Sequence, residues 1–302
     1  MPSLKDYRLR IASVKNTRKI TTAMKMVAAS KLRQAQMRAE EGRPYAAKLR
    51  EALARLILAI GTRDEPMPLL DGRDKVKKVL IVAVAVDRGL AGGFNSNLVR
   101  EVKRQIMAKN LENKQVTVIT VGRRGRDVLK REFPGILLKH FPFKASFNTA
   151  EALMTELVDL YEDGKYDVAY VSYSKFKNVI TQEPVTEQLI PFKVPTRELK
   201  KMQREEEENS LYQEEAHGVY IFEPNAMTLL KRLVPQQLAS QIYSVLLEVG
   251  AGEQAARMTA MDNASRNAGD MINGLSLQYN RARQAYITKE MSEIVSGVEA
   301  SA

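Results

Sequence analysis

The sequence predicts an α/β protein: a long antiparallel coiled coil of N- and C-terminal helices with an inserted open α/β, Rossmann-like domain. Three observations predict it. A heptad-spaced series of small and apolar residues opens the chain, a second closes it, and hydrophobic β-rich runs alternate with helical periodicity between them. The expected division is a first helix over 1–61, an α/β head over 62–233 and a last helix over 234–302.

Ser3 followed by Asp6 is a variant of the capping box and starts a helix just after Pro2. No glycine or proline interrupts Ser3 to Glu41. The seven-residue series is Tyr7, Val14, Thr21, Ala28 and Ala35, flanked by Ile11, Met24 and Leu32. Small side chains at a seam let two helices approach closely, at lower stability than a Leu or Ile zipper. Pro44 is expected to kink the helix without ending it, because helix-favouring residues resume through Leu49, Leu53, Leu56 and Ile60.

Pro66, Pro68, Gly61 and Gly72 mark a boundary. Lys78 to Val86 (KVLIVAVAV) is then a continuous apolar run, the pattern of a strand covered on both faces. Leu98 to Ala108 reads as a helix, Gln115 to Val121 as a strand, Arg123 to Glu132 as a helix ended before Pro134, and Asn148 to about Tyr161 as a helix. Tyr166 to Tyr173 is a third strand, and Asn178 to Phe192 is extended and punctuated by prolines. Thr196 to His217 is a polar loop carrying the acidic run Glu205 to Glu208, and Val219 to Phe222 is a short strand. Asn225 to Leu233 is helical, and Pro235 is expected in the first turn of the last long helix.

That helix repeats Met258, Met261, Ser265, Ala268, Ile272, Leu275, Tyr279, Ala282 and Tyr286 in alternating steps of three and four, a 3.5-residue period. From Pro235 to Ser296 it would run roughly 90 Å. A compact globule of this chain length is only about 50 Å across. The helix is therefore expected to project as a shaft with a second helix beside it.

Composition narrows the function classes. There is no cysteine, which excludes disulfides, thiolate metal sites and cysteine nucleophiles. His140 and His217 have no ligand-like spacing. The longest apolar run, Val79 to Val86, is far short of the ~20 residues that cross a bilayer. The first residues have no apolar segment of the kind a secretory signal needs and lead straight into the heptad pattern, so they read as mature structure. Net charge is +11, and residues 1–60 hold 14 Lys and Arg against 4 Asp and Glu. A basic helix suits an acidic protein surface, an anionic membrane or nucleic acid. A basic coiled-coil nucleic-acid-binding or scaffold protein is thus the alternative reading, although aromatic residues are not interleaved with the cations.

The loop Asp87-Arg88-Gly89-Leu90-Ala91-Gly92-Gly93-Phe94 joins a strand to a helix, where α/β folds bind phosphates. It has neither the dinucleotide spacing nor the Lys-Ser/Thr ending of a P-loop, so a structural turn is expected. No catalytic constellation stands out. Arg257, Arg266, Arg281 and Arg283 alternate with Glu253, Asp262, Asp270, Glu290 and Glu293 as ordinary helix-surface charges, whereas Asn280 to Gln284, beside Tyr279 and Tyr286, suits specific contacts with a partner.

Four stretches carry a resemblance: RIASVKNTRKITTAMKMVAASKL (Arg10 to Leu32), DRGLAGGFN (Asp87 to Asn95), ARMTAMDNASRNA (Ala256 to Ala268) and YNRARQAYITKEMSEIVSG (Tyr279 to Gly297). Together they resemble the gamma subunit of the F-type ATP synthase, over essentially the whole chain. The resemblance implies a rotor shaft in the central cavity of a ring of alpha and beta subunits. It also implies a head near the membrane that joins the epsilon subunit and the c-ring. It implies a non-catalytic coupling subunit with no cofactor and no nucleic-acid partner, peripheral on the cytoplasmic side of the cell inner membrane in a bacterium. Positions matching those the family uses at the ring are Met24 and Lys25 on the first helix and Arg257, Gln284, Thr288 and Glu290 on the last. Ala91 stands where many members carry cysteine, and the redox-switch cysteines of the chloroplast form are absent.

Overall fold

The computed structural model describes residues 3–60, 66–193, 223 and 225–299. The chain divides into two compact units: one joins residues 1–30 to residues 257–302, the other spans Lys31–Ala256. Helices α1 (Leu4–Ile60) and α6 (Ala226–Glu299) contribute to both.

In the terminal unit α1 and α6 run antiparallel. Arg8 donates from Nε and Nη2 to the Tyr279 hydroxyl at 2.9 and 2.7 Å, the Thr22 and Ser265 hydroxyls are 2.9 Å apart, and Lys25 Nζ donates to Asp262 Oδ1 at 2.5 Å. Fourteen residues forward from Arg8 to Thr22 match fourteen backward from Tyr279 to Ser265, and three more steps reach Lys25 and Asp262. Both helices advance at the same rise, so a constant register is what close antiparallel pairing requires. The predicted seam is the buried stripe: Ala28 and Ala268 are 1% and 4% exposed, and Tyr7, Ile11, Val14, Met24, Ile272 and Leu275 are half-buried between exposed neighbours. The predicted capping box is present as well. The Ser3 amide donates to Asp6 Oδ2 at 2.9 Å and the Asp6 amide to Ser3 Oγ at 3.2 Å; the Ser3 backbone bond, first, holds the Asp6 carboxyl below its usual range.

One seam position differs from expectation. Tyr286 is 58% exposed. Leu4, where α1 begins, lies four residues before Arg8, so the same register exhausts the pairing four residues beyond Tyr279. The 3.5-residue pattern continues into a stretch that has no helix of this unit opposite it.

The second unit is a five-stranded sheet in the order β3-β2-β1-β4-β5. Its strands are β1 (Lys78–Val84), β2 (Gln115–Val121), β3 (Leu137–Phe141), β4 (Val168–Phe176) and β5 (Gln182–Ile190). The first four are parallel, and β5 joins β4 as an antiparallel edge. The crossovers use α3 (Phe94–Leu111), α4 (Arg123–Glu132) and α5 (Phe147–Glu162), and a short α2 (Pro68–Asp71) precedes the sheet. Six of the seven residues of β1 are buried, as its unbroken apolar run predicts for the middle of a parallel sheet. Alternate residues serve two cores. Leu80, Val82 and Val84 face a core shared with α5, with Leu53 and Leu56 of α1 and with Leu238, Ile242 and Leu246 of α6. Val79, Ile81 and Ala83 face α3 and α4 through Val102, Ile106 and Leu129.

Several boundaries move relative to the sequence expectation. Helix α6 starts at Ala226, with Asn225 Oδ1 accepting the Thr228 amide at 2.7 Å, so Pro235 lies inside the helix and not in its first turn. Pro44 lies inside α1, as expected. Each proline removes one N–H from the ladder, and buried neighbours such as Val234 and Leu238 carry the helix through. Helix α5 is capped by Ser146, whose side chain accepts from the Thr149 amide, two residues before the expected start. Strand β5 falls in the stretch expected to be extended, and β3 lies in a stretch where no element was expected. The expected strand Val219 to Phe222, the acidic loop Thr196 to His217 and His217 itself lie outside the described residues.

Candidate interaction surface

The loop after β1 lies where the strand order reverses between β1 and β4, the usual ligand crevice of a parallel sheet. Here its polar groups serve the fold. Asp87 accepts the Arg123 amide through Oδ1 at 2.7 Å and the Phe143 amide through Oδ2 at 3.1 Å, tying the ends of β1, β2 and β3 together. Asn95 Oδ1 accepts the Val86 amide at 3.2 Å. Phe94, 5% exposed, lies against α6 so closely that a Cβ added to Gly252 would stand 3.0 Å from its ring. These contacts are those of a structural turn, as expected. His140 Nδ1 lies 3.2 Å from the Thr120 hydroxyl, within the sheet.

The surface that is left over belongs to the terminal unit. Lys5, Arg10, Lys15, Arg18 and Lys19 are all exposed along α1, off the seam. A groove of about 700 Å³ is lined by Lys15, Arg18 and Lys19, with Ala12, Ala23, Met26 and Ile272 as its apolar part. Farther along α6, Ile287, Met291, Ile294 and Val295 are 47% to 62% exposed. Their spacing of four, three and one places them on one stripe of the helix.

All six residues singled out from the sequence fall in this unit. Met24 is half-buried at the seam, and Lys25 makes the ion pair with Asp262, which also accepts Arg266 Nη2 at 2.6 Å. The Lys25 hydrogen bond, with Arg266 assisting, holds the Asp262 carboxyl below its usual range. Arg257 is 9% exposed. Gln284, Thr288 and Glu290 are exposed, and the Thr288 hydroxyl donates back to the Gln284 carbonyl at 3.0 Å. Lys25 and Gln284 are not brought together: 22 residues of helix separate Asp262 from Gln284, about 33 Å. Arg8 and Thr22, which clasp the seam from α1, and the apolar stripe from Ile287 to Val295 did not stand out in the sequence, whereas Ser265 was already in the predicted seam. The stripe was detectable as an i, i+4, i+7 pattern, whereas the cross-helix pairs carried no local signal.

With this geometry in hand, comparison with known proteins is decisive. A family profile described as ATP synthase matches residues 3–300. The ATP synthase gamma chain of Parvibaculum lavamentivorans is 46% identical over 304 residues, covering 99% of this chain and 100% of the relative. The chain belongs to the ATP synthase gamma chain family. Gamma chains of Chelativorans sp. and Paracoccus denitrificans are 45% and 44% identical with the same coverage. Among solved structures, a chain of the Tetrahymena thermophila mitochondrial ATP synthase central stalk and c-ring matches with a TM-score of 0.56 at 31% identity, covering 82% of this chain and 99% of that one. A chain of the Euglena gracilis mitochondrial ATP synthase matches with a TM-score of 0.65 at 19% identity, over 98% and 94%, and shares the fold. Nothing in these comparisons supports the nucleic-acid-binding alternative. No helix among the described residues is long and apolar enough to cross a membrane.

Proposed function

We propose that this gamma chain is the central-stalk rotor subunit that couples transmembrane ion flow to ATP synthesis or hydrolysis in a ring of alpha and beta subunits. It does so without a catalytic site of its own. Its partners are then the alpha and beta subunits, the epsilon subunit and the membrane c-ring, and it sits peripherally at the cytoplasmic face of the inner membrane. The observation that carries this reading is the terminal unit: a two-helix coil in one register, with an unpaired apolar stripe at its end, in a chain that matches gamma chains over nearly its whole length.

A rotor shaft has to transmit torque while meeting many angular positions of its housing. Two helices joined by a closely packed seam stiffen one another against bending. Contacts with the ring must be numerous and individually weak, because a deep minimum at one angle would stall rotation. Exposed cations on α1 supply long-range, screened attraction to acidic ring segments. The stripe Ile287, Met291, Ile294 and Val295 supplies a non-directional apolar contact that turns without breaking hydrogen bonds. In this reading Met24, Lys25, Arg257, Gln284, Thr288 and Glu290 are the ring-facing or ring-supporting positions.

The test is truncation from Thr288 onward in a reconstituted, membrane-bound complex. The sheet unit keeps its thermal unfolding, and the complex still assembles with alpha, beta and epsilon, but ATP turnover is less tightly coupled to proton flow. Unchanged coupling, or loss of the sheet unit's folding, would overturn the assignment.

A further inference from the structure

The sheet unit carries a charged surface of its own. Helices α3 and α4 cover the face of the sheet opposite the core that α1 and α6 share, packing on it through Val102, Ile106 and Leu129. Together they hold nine Lys and Arg against three Asp and Glu. All three acids are engaged within the face: Glu101 pairs with Arg104, Asp127 with Arg126, and Glu132 with Lys103, which ties α3 to α4. Arg100, Arg123, Lys130 and Arg131 are left over, exposed and with no ion pair among the described residues. We propose that this α3–α4 face is a docking surface for an acidic, amphipathic helix of a partner protein. The inference is independent of the rotor reading.

The fold itself does not account for so much charge. Helix α4 opens on Arg123 and Arg124 with no acidic residue in its first turn, where cations oppose the helix macrodipole. The Arg126 hydrogen bond, with the charges of Arg126, Arg123 and Arg124 around it, holds the Asp127 carboxyl below its usual range, so this acid is already fully used. The surplus cations repel one another, and an anionic partner relieves that repulsion.

Their arrangement gives the partner its shape. Arg100, Arg104, Met107 and Leu111 follow at steps of four, three and four, which is one stripe of α3, and the stripe is roughly 16 Å long. Its cationic half comes first. Met107 and Leu111 close it at 57% and 85% exposure. The Lys103–Glu132 pair sets Lys130 and Arg131 beside the cationic half, so a carboxylate arriving there meets cations from two helices. A partner helix of about three turns, with carboxylates at one end of its stripe and apolar residues at the other, matches this pattern.

The same residues select a protein over the other polyanions. Five of the six exposed cations of the pair of helices are arginines, whose forked donors match carboxylates, and arginine and methionine are the residues enriched where proteins meet. Neither helix exposes an aromatic ring on which a base could stack; Phe94 is buried. Two apolar side chains at one end of a stripe offer little area for insertion between lipids.

The full-length chain is titrated with a fluorescently labelled helical peptide whose one stripe carries two Glu four residues apart and, beyond them, two Leu four residues apart. Fluorescence anisotropy reads its Kd, and a shuffled peptide of the same composition, a single-stranded oligonucleotide and vesicles containing anionic phospholipid are measured beside it. Arg100→Gln combined with Lys130→Gln is expected to weaken the patterned peptide by more than about tenfold. Neither residue makes an ion pair, so the melting curve of this variant should match that of the wild-type chain, and Arg131→Gln provides a second, milder variant. Lys15→Gln with Lys19→Gln, an equal charge loss on α1, leaves the Kd nearly unchanged. Met107→Ser with Leu111→Ser weakens the patterned peptide but not the shuffled one. Absence of saturable binding, equal binding of the shuffled peptide, or an equal loss from the α1 variant reduces the effect to net charge and overturns the proposal. Tighter binding of the oligonucleotide or the vesicles, lost with Arg100 and Lys130, overturns it in favour of nucleic acid or membrane.

Discussion

Lys25 Nζ lies 2.5 Å from Asp262 Oδ1, directly across the seam of the terminal coil and one turn from the Thr22–Ser265 hydroxyl pair. In a seam where alanine, threonine and serine separate the larger apolar residues, several registers would bury similar areas. Polar partners that meet only in one of them select it, the best-attested use of polar groups in coiled coils. The pair is partly exposed, so its contribution is to register more than to stability.

Charge reversal tests this. Lys25→Glu places two carboxylates opposite one another and lowers the thermal midpoint of the coil, and combining it with Asp262→Lys restores that midpoint. Circular dichroism melts of the single and double variants decide it: a double variant no better than the sum of the singles contradicts pairing.

Asp262 also sets an acid limit. Because its carboxyl is held low by Lys25 and then Arg266, its stabilising effect is complete above the ordinary aspartate value near ~3.9 and is lost as pH falls through the depressed value. Asp262→Asn is expected to be less stable near neutrality and to show a flatter acid limb in melts recorded from pH 6 downward.

Ala28 measures how closely the helices approach. It is 1% exposed, in the seam, and Leu at this position forces the helices apart at a cost of about 1–3 kcal/mol. Urea unfolding monitored on the coil reads the loss, and a neutral result would mean that the seam has spare room.

Gly122 is the sharpest constraint in the sheet unit. Its φ is +87°, and a Cβ would stand 2.4 Å from the Ala85 carbonyl oxygen, a backbone atom that cannot swing aside. Gly122→Ala is expected to cost more than about 1 kcal/mol. The midpoint of denaturant unfolding of the full-length chain measures it.

Asp87 separates a structural loop from a phosphate site. Asp87→Ala leaves the Arg123 and Phe143 amides without their acceptor, a loss of about 1–3 kcal/mol. Calorimetry of the purified wild-type chain with ATP or ADP is expected to detect no micromolar binding, and binding abolished by the substitution would reinstate a nucleotide site.

Much of this was legible along the chain because the signals are local. Apolar run length predicted the buried β1, spacing of small residues predicted both seams, and Ser3 with Asp6 predicted the first cap. Edge strands were harder. β3 carries Lys139 and His140 in five residues, and β5 carries Glu183, Pro184 and Glu187, so neither has the composition of a covered strand. Pro235 read as a helix start because a local rule does not weigh the packing that carries a helix past it, whereas the continuation of α1 through Pro44 was legible in the helix-favouring residues that follow it.

By itself the sequence determined most residues of the seams, the covered strands β1, β2 and β4, and that the two ends of the chain are long helices. Periodicity and composition are properties of neighbouring residues. Tertiary structure alone decided that Lys25 meets Asp262, that Arg8 meets Tyr279 and that the pairing runs out before Tyr286. Those partners lie far apart along the chain, and only the closing of helix on helix and helix on sheet selects one pairing from many that composition allows.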